Sequence, residues 1–129
     1  MALGYVTTLR NAQLDAITTA VGSAGKLAIY DGTRPATGGT ATNKLAEFTL
    51  GSPFATAASG GVLSPTLPSN VTALLSGTAT WYRITTSGGT FVMDGSAGTS
   101  GTDLILNTAS IASGATVSIT AHTITAGNA

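Results

Sequence analysis

The sequence has no cysteine, which excludes disulfides, thiolate chemistry and cysteine-type zinc sites. Charge is scarce too: 8% of the 129 residues are Asp, Glu, Lys or Arg, against about 25% in an ordinary domain. The five basic and five acidic residues are scattered singly and sum to zero. Nucleic-acid binding needs clustered Lys and Arg to displace counterions from phosphates, and polybasic membrane attachment needs the same. Neither partner is expected. One histidine and five carboxylates leave little to serve as acid, base or metal ligand. A non-enzymatic protein, with no metal or cofactor, is the expectation.

Long apolar runs are missing as well. No stretch approaches the roughly 18 apolar residues of a membrane span. The opening MALGYVTTLR has no basic segment followed by an apolar one, so no secretory signal is expected. The chain is expected to be soluble and made in the cytoplasm. Aromatics are only 5%, which predicts a thin core and too few rings to line a glycosidase cleft.

What fills the chain is small: 17 glycines, much alanine, and many threonines and serines. With 43% hydrophobic residues and no net charge it does not read as disordered, since disorder combines low hydrophobicity with high charge. Zero net charge also favours association. The length predicts one domain over residues 1–129.

A helix is predicted over residues 7–21, about 8–21 after its cap, with Thr7 or Thr8 as N-cap. Leu9, Ala12, Ala16 and Ala20, extended by Ile17 and Val21, form its apolar stripe. Arg10, Asn11, Asp15 and Thr18 lie opposite. Gly22 and Gly25 offer C-cap positions. The helix reads as a cover over a β-structure, or as a partner-binding helix.

Beyond Gly25 the period becomes two. Residues 26–30 (KLAIY) place Leu27 and Ile29 on one face. Residues 44–50 align Ala46, Phe48 and Leu50 against Leu45, Glu47 and Thr49. Residues 79–86 set Tyr82 and Ile84 against Trp81 and Arg83. Ser87-Gly88-Gly89 signals a hairpin into residues 90–94. Residues 103–107 and 116–125 complete the strands. In the last, Ile124 falls out of phase with Val117, Ile119 and Ala121, which predicts a bulge near His122 and Thr123. Pro53, Pro65 and Pro68 leave room for only a short edge strand around 61–63. The fold class expected is mainly β: an antiparallel β-sandwich or jelly-roll-like domain with one short N-terminal helix.

Few constellations carry chemistry. Residues 31–43 (DGTRPATGGTATN) form a polar loop of the length that tends to be functional or disordered. It reads as an arm onto a neighbouring subunit, or as a plain surface loop. Its glycines lack the Gly-Lys-Ser/Thr ending of a phosphate loop. Asp94 and Asp103 flank a glycine-rich segment that can be drawn as a calcium loop or a simple hairpin connection, and no EF-hand pattern is present. Trp81 and Tyr82 read as core anchors or as a stacking platform for a sugar. His122 reads as a structural residue at the bulge.

Several segments together carry a resemblance: LRNAQLDAI (9–17), AIYDGTRPATGGTATNKLAEFTL (28–50), GTATWYRITTSGGTFVMDG (77–95), DLILN (103–107) and TVSITAHTITAGN (116–128). They resemble small virion proteins encoded in the structural gene clusters of tailed phages and prophages. The resemblance spans most of the chain and implies a β-rich structural protein of a phage particle, synthesised in the host cytoplasm. Small size, neutrality and β-content make a capsid decoration or cement protein the expected role, stabilising the outer head surface. A neck, tail or fibre-attachment protein is the alternative, and a host-surface carbohydrate-binding module with Trp81, Tyr82 and Arg83 exposed is the second.

The partners expected are the major capsid protein and copies of this chain, a trimer ahead of a dimer because capsid lattices offer local threefold sites. Candidate contacts are Asp31, Arg34, Pro35, Thr37, Gly38 and Gly39 of the loop, with Leu9 and Arg10 of the helix. Residues 1–8 are a further arm able to bond a partner's sheet edge.

Overall fold

The computed structural model describes residues 4–51 and 53–125. The protein is mainly β with one N-terminal helix, α1 (Thr7–Val21), as the alternation and its interruption predict. Of the segment 1–8 expected to reach a partner, residues 1–3 lie outside the described residues.

The helix has its expected length, but of the expected stripe only Ile17 and Val21 turn to the core. Its buried residues are Leu14 and Val21, with Ile17 packed beside them, while Leu9 is 44% exposed and Ala12, Ala16 and Ala20 face out. Asn11 and Asp15 turn inward instead. Asp15 Oδ1 accepts from the Ala58 amide at 2.7 Å, and Asn11 Oδ1 accepts from the Gly61 amide at 2.9 Å. Backbone donors in an irregular segment must be satisfied. Two polar side chains do that here, and the bulkier Leu14, Ile17 and Val21 fill the core better than alanines.

The N-cap is Val6, which makes no side-chain capping bond, so neither Thr7 nor Thr8 holds that position. Gly22, at φ 70°, ends the helix and donates to the Thr18 carbonyl at 3.2 Å. Asp15→Ala strands the Ala58 amide, and an expected loss of about 1.5–3 kcal/mol should appear in urea unfolding.

Six strands build the main sheet: β1 (Lys26–Tyr30), β2 (Lys44–Thr49), β6 (Trp81–Thr85), β7 (Phe91–Gly98), β8 (Leu104–Leu106) and β11 (Ile119–His122). Their order is β11-β8-β7-β6-β1-β2. The rest are short: β3 (Val62–Leu63), β4 (Val71–Thr72), β5 (Gly77–Thr78), β9 (Ser110–Ile111), β10 (Thr116–Val117) and β12 (Ile124–Thr125). They pair as ribbons β10-β4, β12-β3 and β5-β9.

The expected sandwich or jelly roll does not form. The sheet is a curled, mixed half-barrel, and its inner face is covered by α1 and the ribbons rather than by a second full sheet. Residues 51–73, with three prolines, cannot supply long ladder strands. Register shifts in the β1–β2, β6–β7 and β8–β11 ladders supply curvature, as bulges do.

Two of those shifts revise the sequence reading. Between β1 and β2 the register skips Leu45, so Leu45 joins the core with Ala46. In β11 the irregularity falls between Ile119 and Ala121, earlier than expected, and it turns His122 inward.

The pairing of β7 with β8 is parallel, which overturns the simple hairpin connection expected across residues 94–103. Parallel neighbours ordinarily need a crossover of about a dozen residues or more. Here only residues 99–103 intervene. They are stapled: Asp103 Oδ2 accepts from the Ser96 amide (3.1 Å) and hydroxyl (3.0 Å), and the Asp103 amide donates back to Ser96 Oγ (3.0 Å).

Candidate functional site

The outer face of the half-barrel is the one with chemistry. Alternation sends Leu27, Ile29, Tyr82 and Ile84 into the core, and Lys26, Ala28, Tyr30, Trp81, Arg83 and Thr85 to the other side. Cross-strand register then brings Tyr30 opposite Trp81 and Ala28 opposite Arg83. The Tyr30 and Trp81 rings stack at 4.3 Å. Arg83 sits 5.1 Å from the Trp81 ring centre and 5.3 Å from that of Phe91.

Arg83 is fixed by three bonds. Nε and Nη2 donate to the two oxygens of Asp94 at 2.7 and 3.1 Å, and Nη2 also reaches the Gly39 carbonyl at 2.8 Å. The ion pair is largely shielded from water, and the bond to Asp94 raises the Arg83 pKa further. Lys44 is raised likewise by its 2.7 Å bond to Glu47.

The 31–43 loop is not a free arm. It straps across the end of this face. The Trp81 indole N–H donates to the Asp31 carbonyl and to Thr42 Oγ1, both at 3.0 Å. Asp31 carboxylate oxygens accept from the Asn43 amide and side chain at 3.1 and 3.2 Å, and the Gly38 amide donates to Asp94 at 3.3 Å. Gly38 has φ 73° and lies against the Phe91 ring, and at that φ a side chain would be strained. Arg34, Thr37 and Gly38 remain exposed, and Pro35 and Gly39 are half-buried.

The sequence-derived contacts divide between two sides of the molecule. The loop residues lie on the outer face, whereas Leu9 and Arg10 sit on α1, which packs with the inner core. Within that pair Leu9 faces out, and the Arg10 guanidinium lies so close over Gly61 that a Cβ there would overlap it.

Other expectations separate as well. Trp81 and Tyr82 are both buried and occupy opposite faces, so they do not form an exposed sugar platform. Asp94 is committed to Arg83 and Asp103 to Ser96, so the pair does not frame a calcium loop. No group of three or more His, Asp or Glu side chains able to hold a metal occurs among the described residues. His122 is buried against Phe54 and Tyr82, with Nε2 2.9 Å from the Tyr82 hydroxyl. Burial lowers its pKa to about 4 and raises that of Tyr82.

One feature escaped sequence reasoning. A half-open cleft of about 440 Å³ lies over Ala28, bounded by Tyr30, Phe91, Arg83, Lys26, Lys44 and Glu47 and lipped by the 87–89 hairpin. The alternating KLAIY and WYRIT patterns assign Lys26, Ala28, Tyr30 and Arg83 to one face, whereas Lys44 and Phe91 reach it through the register slips beside Tyr30 and Thr85. Nothing local announces that Ala28 would be the one small residue among large neighbours.

Comparison of the chain with protein-family models, with curated proteins and with solved structures finds no match in any of the three.

Proposed function

We propose that this is a non-enzymatic structural protein of a phage particle, acting as a capsid decoration subunit that associates with copies of itself. The observation that carries the reading is an open sheet edge with apolar side chains beside it. Leu50 donates to the Gly25 carbonyl, which sets the phase of the β1–β2 ladder and turns the main chain of Glu47 and Thr49 away from β1. Leu74 and Leu75 both donate to the Leu45 carbonyl at the start of that edge, and they are 56% and 49% exposed. Unpaired strand edges invite pairing with another chain. Two adjacent exposed leucines make that pairing apolar as well as hydrogen-bonded.

The fate of the charged side chains supports the same reading. Asp15, Asp31, Asp94 and Asp103 each hold backbone amides, and thereby hold loops in place. Their work is architectural. Many weak, repeated contacts of one such subunit on a capsid lattice add up when geometry lets them engage together.

Quantitative mass spectrometry of the purified particle, scaled to the major capsid protein, tests the role. Copies in simple proportion to the capsid subunit are the expected result. A few dozen copies would move the protein to the neck or tail, and absence from the particle would overturn the structural reading. Sedimentation tests the edge: the double variant Leu74→Glu, Leu75→Glu should shift an oligomer to monomer while the fold is retained.

A further inference from the structure

We propose that the cleft over Ala28 binds an acidic saccharide, a sugar unit bearing a carboxylate, with Tyr30 and Phe91 as its apolar walls. This does not rest on the virion role; it would hold for a particle protein or for any other.

The chain carries five cations in all, and three of them, Lys26, Lys44 and Arg83, converge on this one cleft. Two of its few aromatics line the same hollow, and a third, Trp81, backs Tyr30. Elsewhere the surface is mostly threonine, serine, glycine and alanine. Tyr30 packs with Ala28 and Trp81 in a small buried cluster that floors the hollow, while Phe91 is half-buried at its rim. Rare residue types gathered around open space are the pattern of a binding site.

The hydrogen-bond ledger points to the ligand class. Arg83 uses Nε and Nη2, and Nη1 has no partner among the described residues. No bond to the Tyr30 hydroxyl is formed among them either. Lys26 gives one of its three hydrogens to Thr49 Oγ1 at 2.9 Å, and Lys44 gives one to Glu47 Oε2. Glu47 Oε1 is the spare acceptor. Spare donors thus outnumber spare acceptors, but both occur.

Vicinal hydroxyls donate and accept, so they satisfy Glu47 as well as the donors. The side chains of an acidic peptide only accept, and its several carboxylates exceed the single positive charge of the cleft and would meet Glu47. Counting the lining cations against Glu47 and the Asp94 that pairs with Arg83 leaves one positive charge, which a single carboxylate neutralises. The aromatic walls suit the C–H face of a pyranose ring. Because Asp94 and Gly39 already lock Arg83, little ordering cost remains at that donor.

Titration calorimetry of the intact protein with a hexuronic-acid disaccharide and with sialyllactose distinguishes the two sources of such a carboxylate. Lactose serves as the neutral probe and tetra-aspartate as the acidic one. At least one carboxylated sugar should bind, lactose at least about tenfold more weakly, and tetra-aspartate more weakly still.

Ala28→Leu fills the hollow without removing a polar group and should abolish binding. Lys26→Met, at a surface position, should weaken the acidic sugar about tenfold and leave the weak lactose signal unchanged. Unfolding midpoints establish that both variants are folded, and Lys26→Met carries the test should Ala28→Leu not fold. Absence of binding by either acidic sugar, equal binding of tetra-aspartate, or unchanged affinity in Lys26→Met would each overturn the assignment.

Discussion

Trp81→Ala should lower stability by about 3–5 kcal/mol, the range for deleting a buried aromatic side chain. That is a large share of the roughly 5–15 kcal/mol that holds an ordinary domain together. Trp81 is 1% exposed, stacks on Tyr30, and lends one face to the Arg83 guanidinium. It also ties down the 31–43 loop through the indole N–H. The substitution therefore has two readouts. The urea midpoint should fall, and a protease of broad specificity should begin to cut within residues 31–43 under native conditions.

Trp81→Phe separates the two effects. It keeps much of the stack but loses both indole bonds, so about 1 kcal/mol of stability should go while the loop still becomes cleavable. Resistance like that of the parent chain in both variants would show that the strap is held without the indole.

The second large effect is on pH dependence. His122 is neutral in the folded protein because burial lowers its pKa from 6.5 to about 4. The unfolded chain takes up that proton near pH 6.5, so between the two values it binds more protons than the native state. Stability therefore rises with pH across this window. The contribution is fully present above pH 6.5 and is lost progressively as the pH falls to 4. The loss amounts to about 3 kcal/mol, set by the distance between the free imidazole's pKa and that of the buried one.

His122→Gln keeps a partner for the Tyr82 hydroxyl and removes the titration. Its unfolding free energy should be nearly flat between pH 6.5 and 4.5, where the parent chain declines. A parent profile that is itself flat there would place a charged imidazole in the core and contradict the geometry.

Local pattern made much of the fold legible. The helix bounds, the strand at 26–30, a strand within residues 79–86, the Ser87-Gly88-Gly89 turn and a short strand near 61–63 all follow from residue period and turn chemistry. What the pattern could not supply was anything fixed by distant partners. The helix faces inward through Asn11 and Asp15 because the amides of Ala58 and Gly61 wait there, more than forty residues along the chain. Leu45 enters the core because the ladder slips beside Tyr30.

The parallel step from β7 to β8 depends on the Ser96–Asp103 staple, which looked like loop composition in the sequence. The cleft over Ala28 is legible by halves. Alternation assigns Lys26, Ala28, Tyr30 and Arg83 to one face, but the β1–β6 register makes Ala28 the gap among them, and the slips beside Tyr30 and Thr85 add Lys44 and Phe91. The length of the 31–43 loop marks it in the sequence. Its role as a strap is visible only through the Trp81 indole and Asp94.

The strand order has a consequence for synthesis. β1 lies between β2, its neighbour in the chain, and β6, which ends at Thr85. A ribosome adding about 5–20 residues per second needs roughly 2–7 s to pass from residue 50 to residue 85. Throughout that interval the nascent β1–β2 hairpin exposes Leu27, Ile29 and Phe48 along one face, and both of its edges are open. Slow decoding across residues 51–85 prolongs the time in which that apolar face and those edges are open to other chains.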